Sequence, residues 1–223
     1  MRIKVILMLL AAAVLSMGVS CKGKGPTKQE RIDAFNEAGW VSMEEGNFAE
    51  ALREFEDAIA LDSDNIEGNI GLGWSLILMN STNLPRISTA LGKGTADTKW
   101  QQDAWSGLAV TRLNQQRYAE ADSLAGLVLN ADSSYVLIYY SEVDWRDLLV
   151  IQAQARYYNV DYAQAWQAVL PLLAESVTLT VGVPNGNLDP YDSATWVVNG
   201  TNFALYEAAL ADVIFRLVEV YRH

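Results

Sequence analysis

Helix signals dominate the chain from Thr27 to Tyr162. Thr27 followed by Glu30 is a capping box, in which each side chain satisfies a free backbone N–H of the other. The helix it starts should run to Glu45 and stop at Gly46, which adopts a left-handed cap at little steric cost. Asn47, with Glu50 three residues on, should cap a second helix ending near Leu61, ahead of Asp62-Ser63-Asp64-Asn65. Two helices joined so tightly pack antiparallel. A third helix is expected over Ile66–Met79. A short fourth should start at Pro85 and end at Gly92 or Gly94. Thr98 and Gln101 predict another capping box for a helix running to about Gln115. After Glu175 the character changes. Val177-Thr178-Leu179-Thr180-Val181 alternates with period two, a strand signal. Pro184 to Asp192 reads as loop, and Trp196-Val197-Val198 could pair with the strand as a hairpin. Thr201 or Asn202 should then cap a last helix to about Tyr221. Its apolar stripe would be Phe203, Tyr206, Leu210, Val213, Leu217 and Tyr221, with Phe215 and Val218 off it.

The segment Gly46-Asn47-Phe48-Ala49-Glu50-Ala51-Leu52, continued by Phe55, Ala58 and Leu61, resembles a tetratricopeptide repeat, a 34-residue helix-turn-helix unit. Ala51 and Ala58 fall where two helices approach closely, Phe48 and Phe55 fill the space between helices, and Gly39 belongs at the tight crossing. Ser63 stands where that family commonly has proline. Related patterns recur at Arg117–Ala121 and Val160–Ala165. Phe48 to Tyr118 is 70 residues, close to two periods, so a degenerate repeat lies between. Tyr118 to Tyr162 is 44 residues, one period plus ten. The surplus is placed at Ser133–Asp144, read as an extended, tyrosine-rich insertion before a helix over Trp145–Tyr158. The expected fold is all-α: a tetratricopeptide-like solenoid of about four helix pairs over 28–174. A C-terminal extension over 175–223 adds a small irregular or β-hairpin segment and a packing helix.

Ahead of this domain, Arg2 and Lys4 precede an apolar run from Val5 to Leu15, then small residues and Cys21, the single cysteine. This is the order of a secretory signal peptide, and the run is shorter than the ~20 apolar residues of a spanning helix. Cys21 after Gly18-Val19-Ser20 resembles the lipobox of bacterial lipoproteins, with Gly18 where that family usually has leucine. The resemblance implies a signal peptide over 1–20, lipidation at Cys21, and a tether over 21–27. The alternatives are a secreted chain with a free thiol, or an uncleaved inner-membrane anchor. Lys22-Gly23-Lys24-Gly25-Pro26 reaches ~20 Å at ~3.5 Å per residue. Lys22 in place of aspartate implies, by the same resemblance, an outer-membrane anchor, with the domain expected to face the periplasm.

The chain carries 16 basic and 27 acidic residues, net −11; removing residues 1–20 takes Arg2 and Lys4 and no acidic residue, so the balance becomes −13. That argues against nucleic-acid binding, which needs a basic face. Acids concentrate between Glu44 and Glu67, as a solvated face or a surface for a basic partner. Catalytic machinery is not evident. The one histidine is His223, there is no Cys-His metal pattern, and Gly71-Leu72-Gly73 sits inside a helix rather than in a nucleotide loop. Asn185, Asn187, Asp189 and Asp192 lack the spacing of an EF-hand. No cofactor, metal or enzymatic activity is expected.

Tetratricopeptide arrays bind partners on a concave face lined by the first helix of each repeat. The resemblance places Trp40 and Met43, then Ile70, Trp74, Ile77 and Leu78, then Val110 and Leu113, and finally Val150, Tyr157 and Tyr158 on that face. An open groove this apolar calls for an occupant: either the chain's own last helix or a partner peptide or helix. The insertion aromatics Tyr135, Tyr139, Tyr140 and Trp145 form a second candidate surface, since flat rings on a loop can stack on sugars. The expected function is a protein–protein interaction scaffold or assembly adaptor in the cell envelope. The alternative is glycan or small-ligand capture.

Overall fold

The computed structural model describes residues 25–175, 181–182, 196–203 and 206–221. The signal peptide, Cys21, the strand residues 177–180, the loop over 184–192 and His223 lie outside the described residues. Eight helices form four consecutive pairs: α1 Lys28–Glu44 and α2 Phe48–Leu61, α3 Ile66–Leu78 and α4 Leu84–Gly92, α5 Gln101–Asn114 and α6 Tyr118–Ala131, α7 Trp145–Tyr158 and α8 Tyr162–Glu175. Each packs on the next, and the first helices also touch one another, α1 on α3, α3 on α5 and α5 on α7. This is an all-α helix-turn-helix solenoid of tetratricopeptide type.

The pairs close by one repeated device. The second residue after each first helix takes positive φ: Gly46 (76°), Asn80 (54°), Gln116 (60°) and Val160 (64°). Its N–H and the next one bond back to the helix end, as Gly46 N to Met43 O (2.9 Å) with Asn47 N to Ser42 O (2.8 Å), and Val160 N to Tyr157 O (3.0 Å) with Asp161 N to Arg156 O (2.9 Å). This double bond is the Schellman pattern that satisfies the last carbonyls. Glycine or asparagine adopts that backbone readily. Val160 is β-branched and exposed there, so the turn is held by the packing of α7 on α8 against its own preference.

Inside the pairs, small residues set the spacing. The Phe55 ring is fully buried. A Cβ on Gly39 would lie 2.7 Å from it and one on Gly71 2.2 Å, so the ring is clamped between α1 and α3. Gly73 and Gly107 follow Gly39 at successive intervals of 34 residues. Each leaves room for Leu91, whose side chain would meet an added Cβ at 2.6 and 2.7 Å. The Gly71-Leu72-Gly73 run is therefore close packing inside α3.

Caps follow expectation in part. Thr27 and Glu30 form the capping box: the Thr27 N–H donates to Glu30 Oε2 (2.7 Å) and the Glu30 N–H to Thr27 Oγ1 (3.2 Å). Asn47 does not cap α2 with its side chain; its Nδ2 donates to Glu45 Oε2 (3.3 Å), and Glu50 pairs with Arg53 instead. The expected Thr98–Gln101 box is also absent. Asp97 Oδ1 accepts the N–H groups of Lys99 (2.9 Å) and Trp100 (3.1 Å), shaping a turn that delays α5 to Gln101.

The C-terminal segment departs further. Strands β1 Val181–Gly182, β2 Trp196–Val198 and β3 Thr201–Phe203 form an antiparallel sheet, with Val181 opposite Val198 and Val198 opposite Thr201. Asn199 and Gly200 take φ of 46° and 79°, as in a type I′ hairpin turn. Thr201 to Phe203 are thus a strand, and the last helix, α9, spans Tyr206–Val220. Phe203 leaves the expected stripe; Leu210, Val213 and Leu217 remain on it, joined by Ala209 and Ile214, all buried. They pack with Trp166, Val169 and Leu172 of α8 and Val198 of β2 as a core of their own. So α9 packs on α7 as well as on α8, with Val150 and Ala153 in the same core, and covers the face of α7, the last of the first helices, while leaving a groove beside it. No helix among the described residues is long and apolar enough to cross a membrane.

Candidate functional site

A groove of about 960 Å³ runs where α3, α5 and α7 meet. The C-terminal turns of α3 and α5 give it Ile77, Leu78, Val110 and Leu113, and α7 gives Ile151 and Tyr158 along its length. The far wall is the outer edge of α9, with Phe215 and Val218. Phe215 is off the helix's buried stripe and 64% exposed; Tyr158 is 56% exposed. Among the described residues neither Lys nor Arg lines the groove, and its acids are Asp147 and Glu219. The surface is therefore apolar, with a polar rim that includes Asn80, Asn114 and Gln154 beside the two acids.

The first-helix residues expected on the binding face divide into two groups. Ile77, Leu78, Val110 and Leu113 are half-buried on the groove. Trp40, Met43, Ile70, Trp74 and Val150 are buried; of these Trp74 also lines the groove, with its Nε1 donating to the Asp103 carbonyl (3.0 Å). Tyr157 and Tyr158 belong to a tyrosine cluster, Tyr158 stacking on Tyr118 at 4.9 Å and Tyr157 standing 5.3 Å from Tyr162. Tyr118 and Tyr158 line the groove. Sequence reasoning missed α9's share, because a residue off an apolar stripe reads as merely exposed until its neighbours are placed.

The insertion is not an extended loop. It folds back on itself, with Val136 bridged to Asp144, and Leu137 N donating to Val143 O (3.0 Å). Tyr135 is buried: its hydroxyl donates to Asp103 Oδ1 (2.9 Å) and lies 2.8 Å from Ser106 Oγ. It pins the insertion to α5 and is unavailable to a ligand. Tyr139 packs 4.9 Å from Trp40, and Tyr140 5.8 Å from Phe48, so the insertion lies over the first pair. Trp145, half-buried, carries Arg146 over its ring at 4.6 Å. Asp144 and Asp147 cap α7 reciprocally, and Arg146 bridges Asp144 to Glu175.

Asp103 is a strongly perturbed carboxyl. Burial pushes it up to about 6, against the Tyr135 hydroxyl, the Ile138 backbone N–H and Lys99, which pull it down. Perturbed carboxyls concentrate at active sites, but this one is closed off by its own structural partners and does not line the groove. Among the described residues, no cluster of three or more histidine, cysteine or acidic side chains is arranged to hold a metal.

No family model matches the chain, and no curated protein matches it. Solved structures similar to it include PilF of Pseudomonas aeruginosa, described in a functional characterization. That likeness has 14% identity over 87% of this chain and 86% of that one, with a TM-score of 0.41. The fold assignment rests on the helix pairs themselves, and no residue role is carried over.

Proposed function

We propose that the protein is a non-enzymatic scaffold that holds an apolar, helix-forming segment of a protein partner in the groove between α3, α5, α7 and α9. The observation that carries this reading is the pair of exposed rings, Phe215 and Tyr158, on a groove lined by Ile77, Leu78, Val110 and Leu113. Exposed aromatics beside an apolar cleft are the usual anchors of helix-in-groove recognition. We further propose that Cys21 carries lipid and tethers the scaffold in the bacterial cell envelope, at the outer membrane facing the periplasm. Two or three acyl chains, at ~0.8 kcal/mol per buried methylene, hold such a domain firmly.

The glycan-capture alternative draws less support. Tyr135 is consumed in the core, and Tyr139 and Tyr140 spend ring area on Trp40 and Phe48. The scaffold reading is tested by isolating the native protein with its partners, beside a Phe215→Asp variant. A discrete partner lost in the variant supports the groove; a partner retained at full yield overturns it. The anchor is tested separately by labelling with an alkyne fatty acid. Labelling should vanish in Cys21→Ser, and a variant that still labels contradicts the assignment.

A further inference from the structure

The insertion is built as a strap. It leaves the end of α6, crosses to the first pair and returns to α7. Both ends are fixed: Asp132 Oδ1 accepts the Ser134 N–H (2.9 Å) at the start, and Asp144 caps α7 at the finish. Between them the segment bonds mostly to itself, with Leu137 N to Val143 O (3.0 Å) and Val143 N to Tyr140 O (3.2 Å). Its far end lays Tyr139 on Trp40 (4.9 Å) and beside Trp100 (6.1 Å), two rings that stack on each other. Tyr140 meets Phe48 edge-on. The strap therefore covers an aromatic face shared by α1 and the turn before α5.

A buried carboxyl lies under it. Two strap groups cover Asp103: the Tyr135 hydroxyl, which donates to Oδ1 (2.9 Å) and meets Ser106 Oγ (2.8 Å), and the Ile138 N–H. Burial raises this carboxyl from 3.8 to about 6 against those donors and Lys99. The other titratable groups that face it are few. Lys99, in the turn before α5, is itself 3.7 Å from Glu67 of α3. Burial holds the Tyr135 hydroxyl well above its usual range, so it stays protonated throughout, and Asp147 of α7 acts on that hydroxyl. From α3 the Trp74 indole, which is neutral, bonds the Asp103 carbonyl. Lifting the strap takes away both covering groups and gives the carboxyl to water, where its ordinary affinity for a proton returns. The latched form thus holds the proton more tightly than the lifted one. Latching is strongest below pH 3.8 and weakens as pH rises through about 6.

We propose that residues 133–144 form a pH-sensitive strap, latched over the Trp40–Trp100 face while Asp103 is protonated and released more often once Asp103 is ionised. Release bares two rings that are each 4% exposed beneath it. The lifted form is a minor population at every pH, because Tyr135 and Leu137 must leave the core to reach it. A loop closed by so few backbone bonds does not keep them once it is lifted, so its amides report the opening. The device is independent of what occupies the groove.

The test is amide hydrogen exchange on the full chain at pH 4, 5, 6 and 7.5, with each rate divided by its intrinsic value at that pH. A carboxyl that moves between 3.8 and about 6 should raise the opening constant over 136–143 by ~50-fold from pH 4 to pH 7.5. These amides should also open more often than those of 55–58, in the core of α2, at every pH. Asp103→Asn should hold the constant within about threefold over the same range, since nothing then titrates under the strap. Glu142→Gln, which removes the strap's own exposed carboxyl, should keep the full rise. A flat wild type, an equal rise in Asp103→Asn, or a rise lost in Glu142→Gln would overturn the proposal. So would strap amides that exchange no faster than those of α2, because the opening would then be global unfolding.

Discussion

Asp103→Asn should stabilise the protein at neutral pH and leave it nearly unchanged at pH 4. Asp103 lies in the first turn of α5, 3% exposed, with one oxygen on the Tyr135 hydroxyl and the other buried without a well-formed partner. Its carboxyl rises from 3.8 to about 6 because burial outweighs the donors around it. A folded-state pKa above the unfolded one means that the folded form holds the proton more tightly. The stabilising contribution is therefore complete below pH 3.8 and is lost as pH rises through about 6. At 1.36 kcal/mol per pH unit the difference amounts to ~3 kcal/mol. Asparagine keeps an acceptor for Tyr135 and carries no charge, so the variant lacks this loss. Urea unfolding, followed by tryptophan fluorescence at pH 4, 5, 6 and 7.5, gives the difference directly. The gap in favour of the variant should open between pH 4 and 7.5 and reach up to ~3 kcal/mol. A constant gap, or a wild type that gains on the variant as pH rises, would show that Asp103 is not buried as described.

Further outcomes follow from the packing. Gly71→Ala forces a Cβ within 2.2 Å of the Phe55 ring and should destabilise by about 1–3 kcal/mol, in spite of alanine's better helix propensity. A raised melting temperature would contradict the clamp. Val160→Asn relieves a β-branched residue at φ 64° and should stabilise by ~0.5–1 kcal/mol, read as a shift in urea midpoint. Tyr135→Phe removes the donor to Asp103 and should cost about 1–3 kcal/mol at pH 7. It should also raise amide exchange over 136–143, and unchanged exchange there would mean that the hydroxyl does not hold the insertion.

What could be read from the sequence was local. The Thr27–Glu30 box and the Gly46 cap involve residues three or four positions apart, and side-chain chemistry decides them directly. The pair at Asn199-Gly200 was equally local; its backbone preference for a hairpin turn outweighs the capping tendency of Thr201. The ends of α2 and α5 failed where several polar residues competed for the same N–H groups, and Asp97 won over Thr98. Non-local facts were out of reach. Tyr135 looked like a ligand-facing loop aromatic, because Asp103, its partner, is 32 residues away. Trp40 reads as a groove residue because the repeat pattern places first-helix faces without showing what covers them, here the rings of Trp100 and Tyr139. The groove itself needed α9, whose outer edge supplies Phe215.

The most direct test of the proposed scaffold is site-specific photo-crosslinking in intact cells. A crosslinking amino acid is placed in turn at Tyr158, at Phe215, and at Leu127, which is exposed on α6 and does not line the groove. One protein should be captured at both Tyr158 and Phe215 and not at Leu127. Capture at Leu127 with equal yield, or of unrelated proteins at the two groove positions, would contradict the groove as the docking site.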